Sequence, residues 1–275
     1  KQKTPARIAD AALRQWMDTA FGGALADDYG PIARPNDARA LIAKVDYRLG
    51  DRSRLVFRYI YNTAQDDNFS RSTGTTFDLS TVGYHFTNST HNPSLQFFTN
   101  FASGASNELL FSLNRIRDKR EPNVTMPLII VQNFTAADGS GFYSLQSGSE
   151  RFSQGNELDQ DIWELTDNFT IPVNNHRITI GTRNEIYKVR NLFAQSSYGV
   201  WTFDNLANFQ SGAVEQYESA GDLGAGIAAT FIAGIFGVYV QDQWQATPQI
   251  TITAGLRVDV PTFFDKPTFD PRVAA

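Results

Sequence analysis

GVYVQDQWQATPQITITAGLRVD, residues 237–259, changes character at every second residue. Val238, Val240 and Trp244 share a parity, and beyond Ala246-Thr247-Pro248-Gln249 that parity continues through Ile250, Ile252, Ala254, Leu256 and Val258. Thr251, Thr253, Arg257 and Asp259 take the other side. A period of two belongs to a strand whose faces meet different surroundings, and a short polar turn between two such runs makes an antiparallel pair. The stretch therefore predicts a hairpin over Ile235–Trp244 and Ile250–Val260.

Three further pairs lie upstream. Leu41, Ala43, Val45, Tyr47 and Leu49 alternate with Ile42, Lys44, Asp46 and Arg48, and after Gly50-Asp51 the pattern returns in Leu55, Phe57, Tyr59 and Tyr61 against Arg58 and Asn62. Ser94–Ala102 and Asn107–Arg117 form a second pair. Asp159–Ile171 and His176–Tyr187 form a third around Pro172-Val173-Asn174-Asn175, with Trp163, Leu165, Phe169 and Ile171 on one parity and Arg183 and Glu185 among the polar residues of the last strand. Longer polar stretches separate the pairs, at Gln65–Asn92, Lys119–Asn156 and Asn191–Gly234. Tight turns that alternate with long excursions are the asymmetry of an outer-membrane barrel, whose strands need about 9–11 residues to cross and carry aromatic belts at both interfaces. Tyr59, Tyr61, Trp163, Phe169, Tyr239 and Trp244 are the belt candidates. Hydrocarbon offers no hydrogen-bond partner, so such a sheet closes on itself. The expected fold is all-β, an antiparallel up-and-down transmembrane barrel present in part, with long extracellular loops and short periplasmic turns. A soluble sandwich also alternates, but its strands have a mode of about 5–6 residues and the runs here are longer.

Composition agrees with one greasy and one wet face: 21 Phe, 10 Tyr and 4 Trp accompany 19% charged residues and a mean hydropathy of -0.32. A net charge of -5, without clustered Lys and Arg, argues against a nucleic-acid partner. Cysteine is absent, which removes disulfides and thiolate metal sites. Ala6–Ala20 spaces Ile8, Ala12, Leu13 and Trp16 as a short amphipathic helix, so residues 1–35 read as a linker with a helix and 36–275 as the barrel domain. Both ends read as cut, and a segment of a longer protein is expected.

Other chemistry finds little support. Leu223–Gln241 carries no charge over nearly the length of a membrane helix, but Gly224, Gly226, Gly234 and Gly237 weaken a helix there. The near-fingerprint from Gly224 to Ala229 lacks the apolar strand that a dinucleotide site needs before it. His85, His91 and His176 have no metal-site spacing, and solvated loop charge is the commoner reading of Asp66-Asp67 and Asp159-Asp161. Asn88, Asn123, Asn133 and Asn168 begin acceptor tripeptides that are uninformative in a bacterium. Without a Gly-x-Ser-x-Gly elbow or paired carboxylates, no catalytic residue, metal or cofactor is expected.

The 237–259 stretch resembles the strand-turn-strand of the Oar-like branch of TonB-dependent receptors: Tyr-x-Gln-Asp-x-Trp at Tyr239–Trp244, a turn proline, then Gly-Leu-Arg-x-Asp at Gly255–Asp259. Asn107–Arg120 is similar to that family's Asn-Glu-Leu strand ending in Arg-Asp-x-Arg, and Phe203–Gly212 to the loop before the Tyr-x-Gln-Asp strand. The order of these motifs across Asn36–Pro271 is the strong part. The resemblance implies a barrel of about 22 strands around a plug, here without plug or TonB box. It implies a Gram-negative outer membrane, lipid outside, the plug, TonB and an unidentified bulky nutrient as partners, and active uptake as the task. Lys44, Asp46, Arg48, Arg58, Arg183, Glu185, Gln241, Arg257 and Asp259 are the candidates for lining the lumen or touching the plug. A soluble carbohydrate-binding module and a passive porin-like channel are the alternatives.

Overall fold

A strand with one apolar face still has to pair its backbone on both edges, and this chain does so by folding back on itself at tight turns. The structure, a computed structural model, describes residues 34–69, 75–135, 142–220 and 227–274. The helix expected at Ala6–Ala20 lies outside them. In chain order the strands are β1 (Asn36–Arg48), β2 (Ser53–Phe69), β3 (Thr76–Asp78), β4 (Gly83–Asn100), β5 (Ser106–Pro122), β6 (Leu128–Thr135), β7 (Phe142–Ser147), β8 (Asn156–Val173), β9 (His176–Phe193), β10 (Val200–Phe203), β11 (Gln216–Glu218), β12 (Ala229–Thr247), β13 (Ile250–Pro261) and β14 (Thr268–Ala274). A six-residue helix, α1 (Leu206–Ser211), stands between β10 and β11.

Nine strands form the wall, in the order β1-β2-β4-β5-β8-β9-β12-β13-β14, every neighbour antiparallel. The four expected hairpins are all present. Gly50 holds φ 95 in the first turn and Asn174 φ 54 in the third, the left-handed conformation that tight hairpin turns demand. β1 and β14 are the two edges of this sheet, so the wall is an open section of a barrel.

The strands run well past their expected ends. β4, β8 and β9 have 18 residues and β12 has 19, about 60 Å of chain at 3.4 Å per residue, and β14 adds a strand that alternation did not announce. Much of Gln65–Asn92, read as loop, is the continuing ladder of β2 with β4, from Gln65↔Thr87 to Phe69↔Gly83. The reason is solvent: outside the hydrocarbon both faces of a strand meet water, so the ladder persists while alternation of side chains fades. Ala229–Thr247 is strand where Leu223–Gln241 offered a helix. No helix among the described residues is long and apolar enough to cross a membrane, which leaves crossing by strands untouched.

The second correction concerns the long excursions. Instead of solvated loop they carry a five-stranded sheet, β11-β10-β6-β7-β3, at the long-loop end of the wall. β10 runs parallel to β6 and β3 parallel to β7. Val200, Leu128 and Val82 pack together with Ile130 against them, and Phe77, Leu79, Val131, Leu145 and Phe203 are also buried. Three connections are stitched into one body: Thr81 accepts from the Gly148 amide at 3.1 Å, Gln154 accepts from the Tyr198 amide at 2.7 Å, Arg151 meets Glu218 at 3.0 Å, and Asn133 donates to Asp204 at 2.8 Å. The fully buried Ser149 hydroxyl accepts from the Met126 amide at 3.2 Å.

Candidate functional site

Directly opposed residues of an antiparallel ladder point to the same side of the sheet, so the register alone sorts the wall into two faces. One row runs Lys44↔Arg58↔Ser94↔Ser112↔Glu164↔Glu185. The next toward the short turns runs Asp46↔Val56↔Gln96↔Leu110↔Thr166↔Arg183↔Gly237↔Asp259. The third runs Arg48↔Arg54↔Phe98↔Glu108↔Asn168↔Gly181↔Tyr239↔Arg257, and Thr170↔Thr179↔Gln241 follow in the fourth. The lumen or plug candidates Lys44, Asp46, Arg48, Arg58, Arg183, Glu185, Gln241, Arg257 and Asp259 thus fall on one face within four consecutive rows.

The two halves of this polar face differ in charge. On β8, β9 and β13 the ions are matched among themselves: Arg183 lies 3.2 Å from Glu164 and 2.9 Å from Glu185, and Arg257 lies 2.7 Å from Asp259. The Tyr187 hydroxyl donates to Glu185 at 2.9 Å. On β1 and β2, Lys44 opposes Arg58 and Arg48 opposes Arg54, with Asp46 the carboxylate between them, 2.9 Å from Lys44 and 3.6 Å from Arg54. Like charges directly opposite each other disfavour the pairing. That half of the face is left with a cation surplus. Toward the turns it opens into a depression of about 560 Å³ lined by Arg48, Arg52, Arg54, Glu108 and Arg177.

Tyr239 corrects the belt assignment. Its parity places it among the polar rows, where its hydroxyl donates to Asn168 Oδ1 and its ring lies 5.5 Å from the Arg257 guanidinium. Gly181 makes the position possible, because a Cβ there would meet the ring at 2.4 Å. Gly237 does the same for the Arg257–Asp259 pair, since its Cβ would stand 2.4 Å from the Asp259 carboxylate. Sequence reasoning missed Gly181, Glu164, Asn168 and Tyr187. A glycine on the charged parity of a long strand was the available signal for the first.

The opposite face carries Leu41, Val45, Phe57, Leu95, Phe111, Leu165, Val238 and Leu256, all exposed. A soluble sandwich would have closed these side chains into a dry core, and the wall has none. Tyr59, Tyr61, Trp163, Phe169 and Trp244 stand on this face: Trp163 in the row Leu113↔Trp163↔Ile186, Trp244 opposite His176 beside the short turns. Its few polar groups toward the turns have partners, for Asn107 donates to Asp167 at 2.6 Å and Asp242 meets His176 at 2.7 Å. Toward the long loops the apolar rows of β5, β8 and β9 end in charge. At the outermost part of β5, beyond the apolar rows, Lys119 lies 2.6 Å from Glu121; their hydrogen bond holds the carboxyl below its ordinary range and the ammonium above its own.

The isolated motifs are absorbed by neighbours. His85 meets Asp67 at 2.6 Å and His91 meets the Tyr59 hydroxyl at 2.7 Å. Asp66 lies near Arg34, and Asp159 and Asp161 near Arg117. Among the described residues no three His, Asp or Glu side chains gather as a metal site. Gly224, Ala225 and Gly226 of the near-fingerprint lie outside the described residues.

Comparison with known proteins agrees with this geometry. A family model described as "Outer membrane beta barrel domain" matches residues 8–269. The crystal structure of the outer membrane transporter YddB from Escherichia coli superposes with a TM-score of 0.58 at 14% identity, over 89% of this chain and 30% of that one. The chain therefore spans less than a third of that transporter's length, and at this identity the likeness speaks for the fold. No curated protein matches the sequence.

Proposed function

Because the chain belongs to the outer membrane beta barrel domain family, and so to the outer membrane of a Gram-negative bacterium, we propose that it builds a section of the wall of a TonB-dependent transporter that takes up a bulky nutrient. One observation carries the reading: a single register turns every lumen candidate to one side and Leu41, Val45, Phe57, Leu95, Phe111, Leu165, Val238 and Leu256 to the other. In this reading the apolar face meets lipid and the polar face meets an enclosed aqueous space. An Arg or Lys facing lipid at the midplane costs about 2–4 kcal/mol; on the inner side water and neighbouring carboxylates solvate it.

The cation surplus of β1 and β2 favours a plugged lumen over an empty one. Lys44, Arg48, Arg54 and Arg58 oppose one another across the ladder, and an acidic plug surface would relieve that repulsion. A passive porin-like channel needs no such surface. The order of the Oar-like motifs supports the TonB-dependent branch. The test is uptake of a labelled bulky nutrient by cells expressing the full-length parent, with and without TonB. Uptake that vanishes without TonB is the expected result, and equal uptake in both strains assigns the wall to a passive channel.

A further inference from the structure

The outward face holds a second patch that transport does not use. Directly beyond the row Leu113↔Trp163↔Ile186, strands β5, β8 and β9 carry Arg115↔Asp161↔Lys188 and then Arg117↔Asp159↔Arg190. Two rows thus hold four cations against two carboxylates, on the same side as the apolar side chains. Opposed side chains in adjacent strands are about 4.5–5.5 Å apart at Cβ, so the four cations share one compact patch.

The carboxylates are already committed. Asp161 lies 2.7 Å from Arg117, whose Nη1 also donates to the carbonyls of Ile116 and Gln160 at 2.7 and 3.0 Å. Asp159 lies 3.5 Å from Arg117 and 3.6 Å from Arg190, and Arg190 further engages Glu157 at 2.9 Å. That leaves Arg115 only a loose 3.8 Å approach to Asp161, with a side chain 56% exposed. Lys188 has no carboxylate partner among the described residues. Two cations with free donors therefore flank a carboxylate neutralised by a third.

On a lipid-facing surface such charge is tolerated only at the headgroup layer. On β5, β8 and β9 the apolar rows end at Arg115, Asp161 and Lys188, which fixes that level on these three strands. The long loops lie on this side, so the layer is that of the outer leaflet. We infer that the Arg115–Lys188 patch binds the phosphate groups of a phosphorylated glycolipid of the outer leaflet, whose acyl chains lie along Leu113, Trp163 and Ile186. Arg forks and Lys ammonium groups are suited to phosphate oxygens, and anionic lipids are drawn to basic residues placed at the membrane surface. Arg117 acts as a positioning residue, holding Asp161 away from the two free cations. The inference rests on the lipid-facing assignment of the apolar face and is independent of TonB.

The test uses the detergent-purified full-length protein, with native mass spectrometry to score binding of diphosphorylated lipid A and of its dephosphorylated form. The wild type is expected to prefer the phosphorylated lipid, and R115Q/K188Q to bind it about tenfold more weakly. R120Q, on the same strand but the opposite face, is expected to bind as the wild type does. Equal binding by R115Q/K188Q, or no preference for the phosphorylated form, overturns the site. Displacement by inorganic phosphate alone would replace the lipid with a bare anion and overturns the lipid assignment. Quenching of Trp163 by brominated acyl chains, read as the signal lost in Trp163→Phe, separates the two premises: without it the lipid-facing assignment itself fails, whereas quenching with unchanged binding sinks only the phosphate site.

Discussion

The nine-stranded wall and the five-stranded loop sheet are built from the same backbone ladder, yet they keep their apolar side chains in opposite circumstances. In the wall, Leu41 is 55% exposed and Val238 59%; in the loop sheet, Leu79 is 1% exposed and Val200 0%. The wall leaves its apolar face uncovered because its core is the lipid around it. The loop sheet stands outside hydrocarbon and has to bury what it owns. Apart from Val56 and Ala105, the buried apolar residues among the described ones belong to the loop sheet and its connections, while the apolar face of the wall stays exposed, the reverse of the rule for soluble domains.

The largest expected effect breaks the comparison at the loop sheet. Leu79→Ala removes a fully enclosed side chain whose amide also donates to the Gln146 carbonyl at 2.9 Å, and should cost that sheet about 2–5 kcal/mol. Hydrogen exchange on the full-length protein should show lost protection in β6 and β10 and unchanged protection in β5 and β8. Loss spreading equally into the wall would mean that the two sheets are one cooperative unit.

The next attacks the wall in its own terms. Phe111 lies between Leu95 and Leu165 in the apolar rows, and Phe111→Arg should destabilise the membrane-inserted state by about 2–4 kcal/mol, read as a lowered urea midpoint in lipid vesicles. An arginine at Ser89, level with Arg117 in the charged rows, should cost about 0–1 kcal/mol by the same rule. Equal costs at the two positions would erase the boundary on which both the wall and the lipid patch depend.

Gly181→Ala comes third. The added Cβ would stand 2.4 Å from the Tyr239 ring, and overpacking of this kind costs about 1–3 kcal/mol. Tyr239→Ala in the same chain should recover much of that loss, since the overlapping ring is gone. Failure of the second change to rescue the first would remove Tyr239 from the polar face.

How much of this was legible depended on solvent contrast. Where lipid lay on one side and water on the other, as along Val238–Trp244 or Leu41–Tyr47, alternation located each hairpin and sorted the charged candidates by parity. Where water lay on both sides, as along Thr87–Ser89, the ladder left no period to read, and the strand passed for loop. The loop sheet was hidden for a different reason. Its strands are short, β3 and β11 having three residues each, and parallel pairings such as Val200↔Leu128 join segments remote in sequence. Tyr239 was misplaced because Tyr is welcome in both an aromatic belt and a polar lumen, so residue type outweighed the parity that Val238 and Val240 already declared.

That ambiguity yields the smallest and most discriminating prediction, because the sign of Tyr239→Phe differs between the two faces. A tyrosine pointing into the acyl region carries a hydroxyl with no strong partner, and its loss there would be neutral or stabilising. On the polar face the hydroxyl donates to Asn168 Oδ1 while the ring lies beside Arg257. Removing it strands that acceptor, which at a half-buried site costs about 0.5–1.5 kcal/mol, toward the lower end because lumen water can reach Asn168. Phenylalanine keeps the ring, the fit against Gly181 and the cation contact, so the packing is unchanged and the hydrogen bond alone is read. A lowered urea midpoint for Tyr239→Phe, set beside an unchanged or raised one for Tyr61→Phe, would place the two tyrosines on opposite sides of the same wall; a raised midpoint at Tyr239 would return it to the lipid face.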